Sequence, residues 1–78
     1  MKQINVLAFG AITDITGKSS FVVNDIGSTE DLIKQLEEQY PRLKTINYAI
    51  AVDKRIVTGN TNLQHNATVA ILPPFSGG

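Results

Sequence analysis

An α+β fold, with one main helix packed on one face of a mixed sheet of about five strands, is predicted for this chain from three observations. Short apolar segments with a two-residue alternation recur along its 78 residues. A single amphipathic segment, bounded by a capping serine and a proline, interrupts them near the middle. The first and last segments carry the most continuous apolar runs, which places them side by side in the interior of the sheet.

Residues 1–10 open the pattern as a strand. Ile4, Val6 and Ala8 fall on one face and Leu7 and Phe9 on the other, and Gly10 punctuates its end. Residues 11–16 read as a short helical turn or an irregular loop, closed by a turn at Gly17-Lys18. Residues 19–25 form a second strand, with Phe21 and Val23 opposite Val22, close enough to the first for an antiparallel hairpin. Ser28 is then the N-cap of the helix, with Asp31 three residues on in a variant of the capping box. Glu30 and Asp31 suit the positive end of the helix dipole. Leu32, Ile33, Leu36 and Tyr40 follow at helical spacing as one apolar stripe, and Pro41 stops the helix.

Residues 41–47 are a connector anchored by Leu43 and Ile46. Residues 48–53 alternate as a third strand, Lys54-Arg55 is a charged turn or bulge, and Ile56-Val57 is a minimal strand. A polar, turn-rich stretch at 58–66 has Leu63 as its one large apolar residue. Residues 67–72 are the last strand, stopped by Pro73-Pro74, because proline has no N–H to give a sheet ladder. Strand, strand, helix, strand, short strand, strand, with the first and last adjacent, is the β-grasp order. Two units are expected: a β-grasp domain over residues 1–74 and a flexible Gly-Gly tail over 75–78.

Composition excludes several functions. With no cysteine, the chain has no disulfide, thiol nucleophile or cysteine metal ligand, and its one histidine makes a self-contained zinc site untenable. Seven basic and seven acidic residues balance to zero, so the footprint of a nucleic-acid binder is missing. No apolar run is long enough to span a membrane, and the first residues lack a signal-peptide pattern, which leaves the cytoplasm as the default expectation.

Side-chain chemistry is sparse. Glu37 and Glu38 are adjacent on the helix and point apart, which suits a solvated face rather than an acid–base pair. His65 lies in a polar turn between Gln64 and Asn66, and no serine has a histidine close in sequence. Gly17-Lys18-Ser19 ends like a phosphate loop, but Ile12 stands where the first glycine would be. The remaining unusual feature is Pro73-Pro74-Phe75-Ser76-Gly77-Gly78. A stiff diproline projects the last four residues away from the sheet, and two glycines give the narrowest cross-section a polypeptide has. The ordinary alternative is a frayed end.

Over its whole length the sequence resembles the small subunit of molybdopterin synthase, a ubiquitin-like sulfur carrier. The resemblance lies in Val6-Leu7-Ala8-Phe9, the loop to Gly17, the helix from Thr29, Ala51-Val52 and Val69 to Gly78, with the diproline before the diglycine its most specific element. Two departures stand out. Asn66-Ala67 replaces a usual Gly-Asp pair, tolerable because asparagine accepts a left-handed backbone, and Ala51-Val52-Asp53 replaces Ala-Val-Asn.

The resemblance implies a defined chemistry. An ATP-dependent, E1-like adenylating enzyme activates the Gly78 carboxylate, a sulfur donor protein converts it to a thiocarboxylate, and the sulfur passes to cyclic pyranopterin monophosphate. Gly78 and Gly77 are thus the reacting end. The implied assembly holds two small and two large subunits, the large one supplying the catalytic side chains of the sulfurtransferase. No resident cofactor, nucleic acid or membrane is implied. Without cysteine, the sulfur has no side chain of this protein to ride on. A sulfur carrier for thiamin or another metabolite, or a protein modifier forming isopeptide bonds, are the alternatives.

Strand parity then gives the expected partner face. Ile4, Val6, Val69 and Ile71 should receive the helix, leaving Leu7, Phe9, Ile56 and Leu72 opposite. Phe9, Ile56, Leu72, Pro73, Pro74, Phe75 and Ser76 are therefore the expected partner-binding residues, unless segment 11–16 covers some of them.

Overall fold

The computed structural model describes residues 2–73. Five strands form one mixed sheet: β1 (Gln3–Ala8), β2 (Ser20–Asn24), β3 (Ala49–Val52), β4 (Arg55–Val57) and β5 (Thr68–Leu72), in the spatial order β2-β1-β5-β3-β4. β1 and β5 are parallel neighbours in the interior, as their continuous apolar character predicts, and every other pairing is antiparallel. Helices α1 (Ala11–Thr16) and α2 (Thr29–Gln39) and a 3-10 turn at Pro41–Thr45 complete the chain.

The core lies on one face of the sheet. Ile4, Val6, Val69 and Ile71 are buried there with Leu32 and Leu36 of α2, Leu43 of the 3-10 turn and Ile12 of α1. The alternating burial of β1 and β5 is the signature of a sheet covered on one side. The start of α2 follows the sequence reading: Ser28 is its N-cap, its hydroxyl accepting from the Asp31 N–H at 3.3 Å.

Several boundaries move. The connector at 41–47 contains the 3-10 turn, because Pro41 at its first position favours a helical φ and Leu43 has a core site to fill. The turn between β3 and β4 is Asp53-Lys54 rather than Lys54-Arg55. Asp53 and Lys54 have φ of 48° and 73°, the paired left-handed geometry of a two-residue hairpin, so Arg55 belongs to β4. Asn66 has φ 68°, the left-handed backbone expected of it.

The polar 58–66 stretch is stitched to the domain. Thr29 N–H donates to Thr61 O at 2.8 Å, Leu63 N–H to Gly27 O at 2.9 Å and Lys2 Nζ to Leu63 O at 2.9 Å, which holds Leu63 fully buried. His65 Nδ1 accepts from the Gln3 N–H at 3.1 Å, giving this histidine a structural task.

Tyr48 ties the approach to β3 onto α2, its hydroxyl donating to Glu37 Oε2 at 2.7 Å. Burial, then the hydrogen bond to Glu37 and its negative charge, pushes the phenol well above the ordinary tyrosine range. In the unfolded chain the same group ionises near pH ~10. The folded state therefore holds this proton more tightly, and its stabilisation is present below pH ~10 and lost as pH rises beyond it. Tyr48→Phe should be less stable than the parent by about 1 kcal/mol in urea melts at pH ~9, with a shallower loss of stability on going to pH ~11.

Candidate functional site

The face of the sheet opposite the core carries an open, predominantly apolar groove of about 490 Å3. Its shape follows from strand register. Leu7 pairs with Ala70, Ala70 with Ala51, and Ala51 with Ile56, so these four stand in one row across β1, β5, β3 and β4. The two alanines make a low floor and the larger side chains make walls, with Phe9 extending the wall beyond Leu7. Phe9 and Ile56 are 45% and 58% exposed, a large apolar area to leave against water in so small a domain.

The groove follows β5 from Thr68 to Leu72, five residues spanning ~13 Å. At the Thr68 end lie Asp53 and Lys54, the titratable side chains of its lining. The hairpin that carries them is pinned to β5: Asp53 Oδ1 accepts from the Thr68 N–H at 3.0 Å, and Asp53 N–H donates to Thr68 O at 2.8 Å. Aspartate thus supplies both the left-handed turn residue and the side-chain acceptor. At the other end Leu72 leads into Pro73, which is half-buried and lies against Gly10.

Phe9, Ile56 and Leu72 are therefore brought together, as parity predicts, and Leu7 joins them. Segment 11–16 does not cover them. It forms α1, whose Ile12 is buried in the core on the other side, because the chain turns at Gly10 with φ 54° and ψ −129°. Pro73 stands at the groove's end and is not in its lining. Pro74, Phe75, Ser76, Gly77 and Gly78 lie outside the described residues.

The sequence reading passed over Ala51 and Ala70, the floor, and Asp53 and Thr68 at the far end, and it left Lys54 to a solvated turn. An alanine in an apolar strand has no signal of its own. Small residues at the outward parity of two strands become informative once those strands are known to be neighbours. Among the described residues there is no cluster of three or more histidine, cysteine, aspartate or glutamate side chains suited to a metal. No helix there is long and apolar enough to cross a membrane. The chemistry displayed is that of a docking surface that ends beside Leu72 and Pro73.

Comparison with known proteins gives four informative matches. The profile of the ThiS family matches residues 6–78. A molybdopterin synthase sulfur carrier subunit of Mycobacterium tuberculosis is 32% identical over the full length of both chains. The solution structure of small archaeal modifier protein 1 from Methanosarcina acetivorans superposes with a TM-score of 0.85 at 21% identity, covering 100% of this chain and 98% of that one. Subunits 1 and 2 of molybdopterin-converting factor from Helicobacter pylori have been solved as a protein–protein complex. The matching chain there gives a TM-score of 0.74 at 24% identity, covering 97% of this chain and 99% of that one.

Proposed function

Because this chain belongs to the ThiS family and aligns end to end with a molybdopterin synthase sulfur carrier subunit, we propose that it carries sulfur as a thiocarboxylate on Gly78. The observation that supports this most directly is the open apolar groove along β5, which leads to the base of the segment ending in Gly77-Gly78.

A carboxylate is a poor electrophile. An E1-like enzyme attaches AMP from ATP to one Gly78 oxygen, releasing pyrophosphate and creating a good leaving group. The terminal sulfur of a donor protein's persulfide attacks the carbonyl carbon, and AMP departs with that oxygen. A thiol then cleaves the S–S bond and leaves the thiocarboxylate. In the synthase, the thiocarboxylate sulfur is transferred to cyclic pyranopterin monophosphate toward the dithiolene, and water restores the Gly78 carboxylate. Two sulfurs per product suit an assembly of two small and two large subunits. The complex of the Helicobacter pylori subunits supports a large-subunit partner, and the groove is the surface suited to receive it. In this reading the protein holds no cofactor of its own and works in the cytoplasm.

Likeness to a small archaeal modifier protein supports a second reading, in which activated Gly78 forms isopeptide bonds to lysines. Intact mass after incubation with the activating enzyme, ATP and a persulfide donor decides between them. A gain of about 16 Da, sulfur for oxygen, is the expected result. Lysine adducts without that gain would overturn it.

A further inference from the structure

We propose that Gly10 is a positioning residue for the carrier terminus: its bare α-carbon is the seat of the Pro73 ring, and this seat sets the direction in which the chain leaves the sheet. The functional consequence rests on the carrier reading above; the seat itself is a property of the fold.

The seat arises from the parallel pairing of β1 and β5. Ala8 stands beside Ile71, so two residues further on Gly10 comes alongside Pro73 at the same end of the sheet. A Cβ on Gly10 would lie 3.0 Å from Pro73 Cγ, 3.7 Å from its Cβ and 4.0 Å from its Cδ. Three ring carbons thus rest on the space that a side chain would take.

Gly10 cannot easily retreat. Thr13 N–H donates to Gly10 O at 3.0 Å, Ile12 N–H donates to Phe9 O at 3.0 Å, and Thr13 Oγ1 donates to Ala8 O at 3.0 Å. Ile12 is fully buried and locks the corner to the core. An added methyl group must therefore displace the ring rather than the corner. Gly78 lies five residues beyond Pro73, a reach of at most ~16 Å, so the seat fixes the point and heading from which that segment starts.

The backbone of Gly10 provides a clean test. Its φ of 54° and ψ of −129° are the mirror image of the polyproline region. An L-residue is strained there, whereas a D-residue is at ease and aims its methyl group away from the L-residue's Cβ position. Two variants prepared by chemical ligation carry L-alanine (Gly10→Ala) or D-alanine at position 10.

The first measurement is the set of NMR contacts between the Pro73 ring and the corner residues on either side of position 10. They should weaken in the L-variant and persist in the D-variant. The second is single-turnover sulfur transfer from loaded, folded carrier, compared at equal thiocarboxylate content. The L-variant should be slower by about tenfold and the D-variant within about twofold of the parent, since misplacement by about an ångström can cost that much. A merely structural role would lower the melting temperature of the L-variant without slowing transfer from its folded, loaded fraction.

Unchanged contacts in the L-variant, or transfer as fast as the parent's, overturn the proposal. A parent protein that takes up no sulfur overturns the carrier reading and the transfer consequence with it, while the contact comparison still decides the seat.

Discussion

Deletion of Gly77 and Gly78 is expected to abolish the gain of about 16 Da on incubation with activating enzyme, ATP and persulfide donor, while leaving the domain folded. The two halves of this expectation have separate grounds. Among the described residues the buried core runs from Ile4 to Ile71 and is complete before the deleted pair is reached in sequence. Their removal should change unfolding free energy by less than about 0.5 kcal/mol, the ordinary range for peripheral changes. Loading is lost because the activating enzyme must reach the terminal carboxylate through the narrow Gly77-Gly78 end. With no cysteine in the chain, no thiol can take its place as the sulfur's attachment point. After deletion the carboxylate belongs to Ser76, whose Cβ and hydroxyl widen the end that must enter an active site. Truncated protein that still gains the sulfur mass would sink the proposed mechanism.

The second large effect is expected at the groove. Ile56→Asp should weaken binding to the cognate synthase large subunit by at least about 100-fold, because a carboxylate buried without a partner is among the costliest changes an interface can suffer. Ile56 is a wall of the groove yet more than half exposed on the edge strand β4. Folding should therefore lose no more than about 1 kcal/mol, mostly from strand propensity. Val22→Asp is the matched control. Val22 pairs with Asn5, which places it on the same face of the sheet, and it is comparably exposed, but it lies outside the groove lining. Isothermal titration should find the control within about threefold of the parent. Equal affinity for the Ile56 variant and the parent would show that the large subunit docks elsewhere.

Much of this is legible in residue order. Alternation in β1 and β5, the Ser28 cap, the α2 stripe and Pro41 are signals within a few residues of one another, and they act locally. The same parity gives the right face for Phe9, Ile56 and Leu72, because a strand has only two faces. The Asp53-Lys54 turn is displaced by one residue from its expected place. Its left-handed pair is stabilised by Thr68, fifteen residues from the Asp53 side chain that accepts its N–H. Leu63 looks like an isolated apolar residue in a polar loop, and its burial depends on bonds to Gly27 and Lys2.

Residue order alone establishes the succession of elements, the apolar side of each strand and the lack of any side-chain home for sulfur. Three-dimensional packing was needed to show that Ala51 and Ala70 form a floor between Leu7 and Ile56, and that Gly10 seats Pro73. Both depend on which residues stand opposite each other in strands far apart along the chain. Register is set by packing the whole core at once, so no stretch of sequence carries it alone.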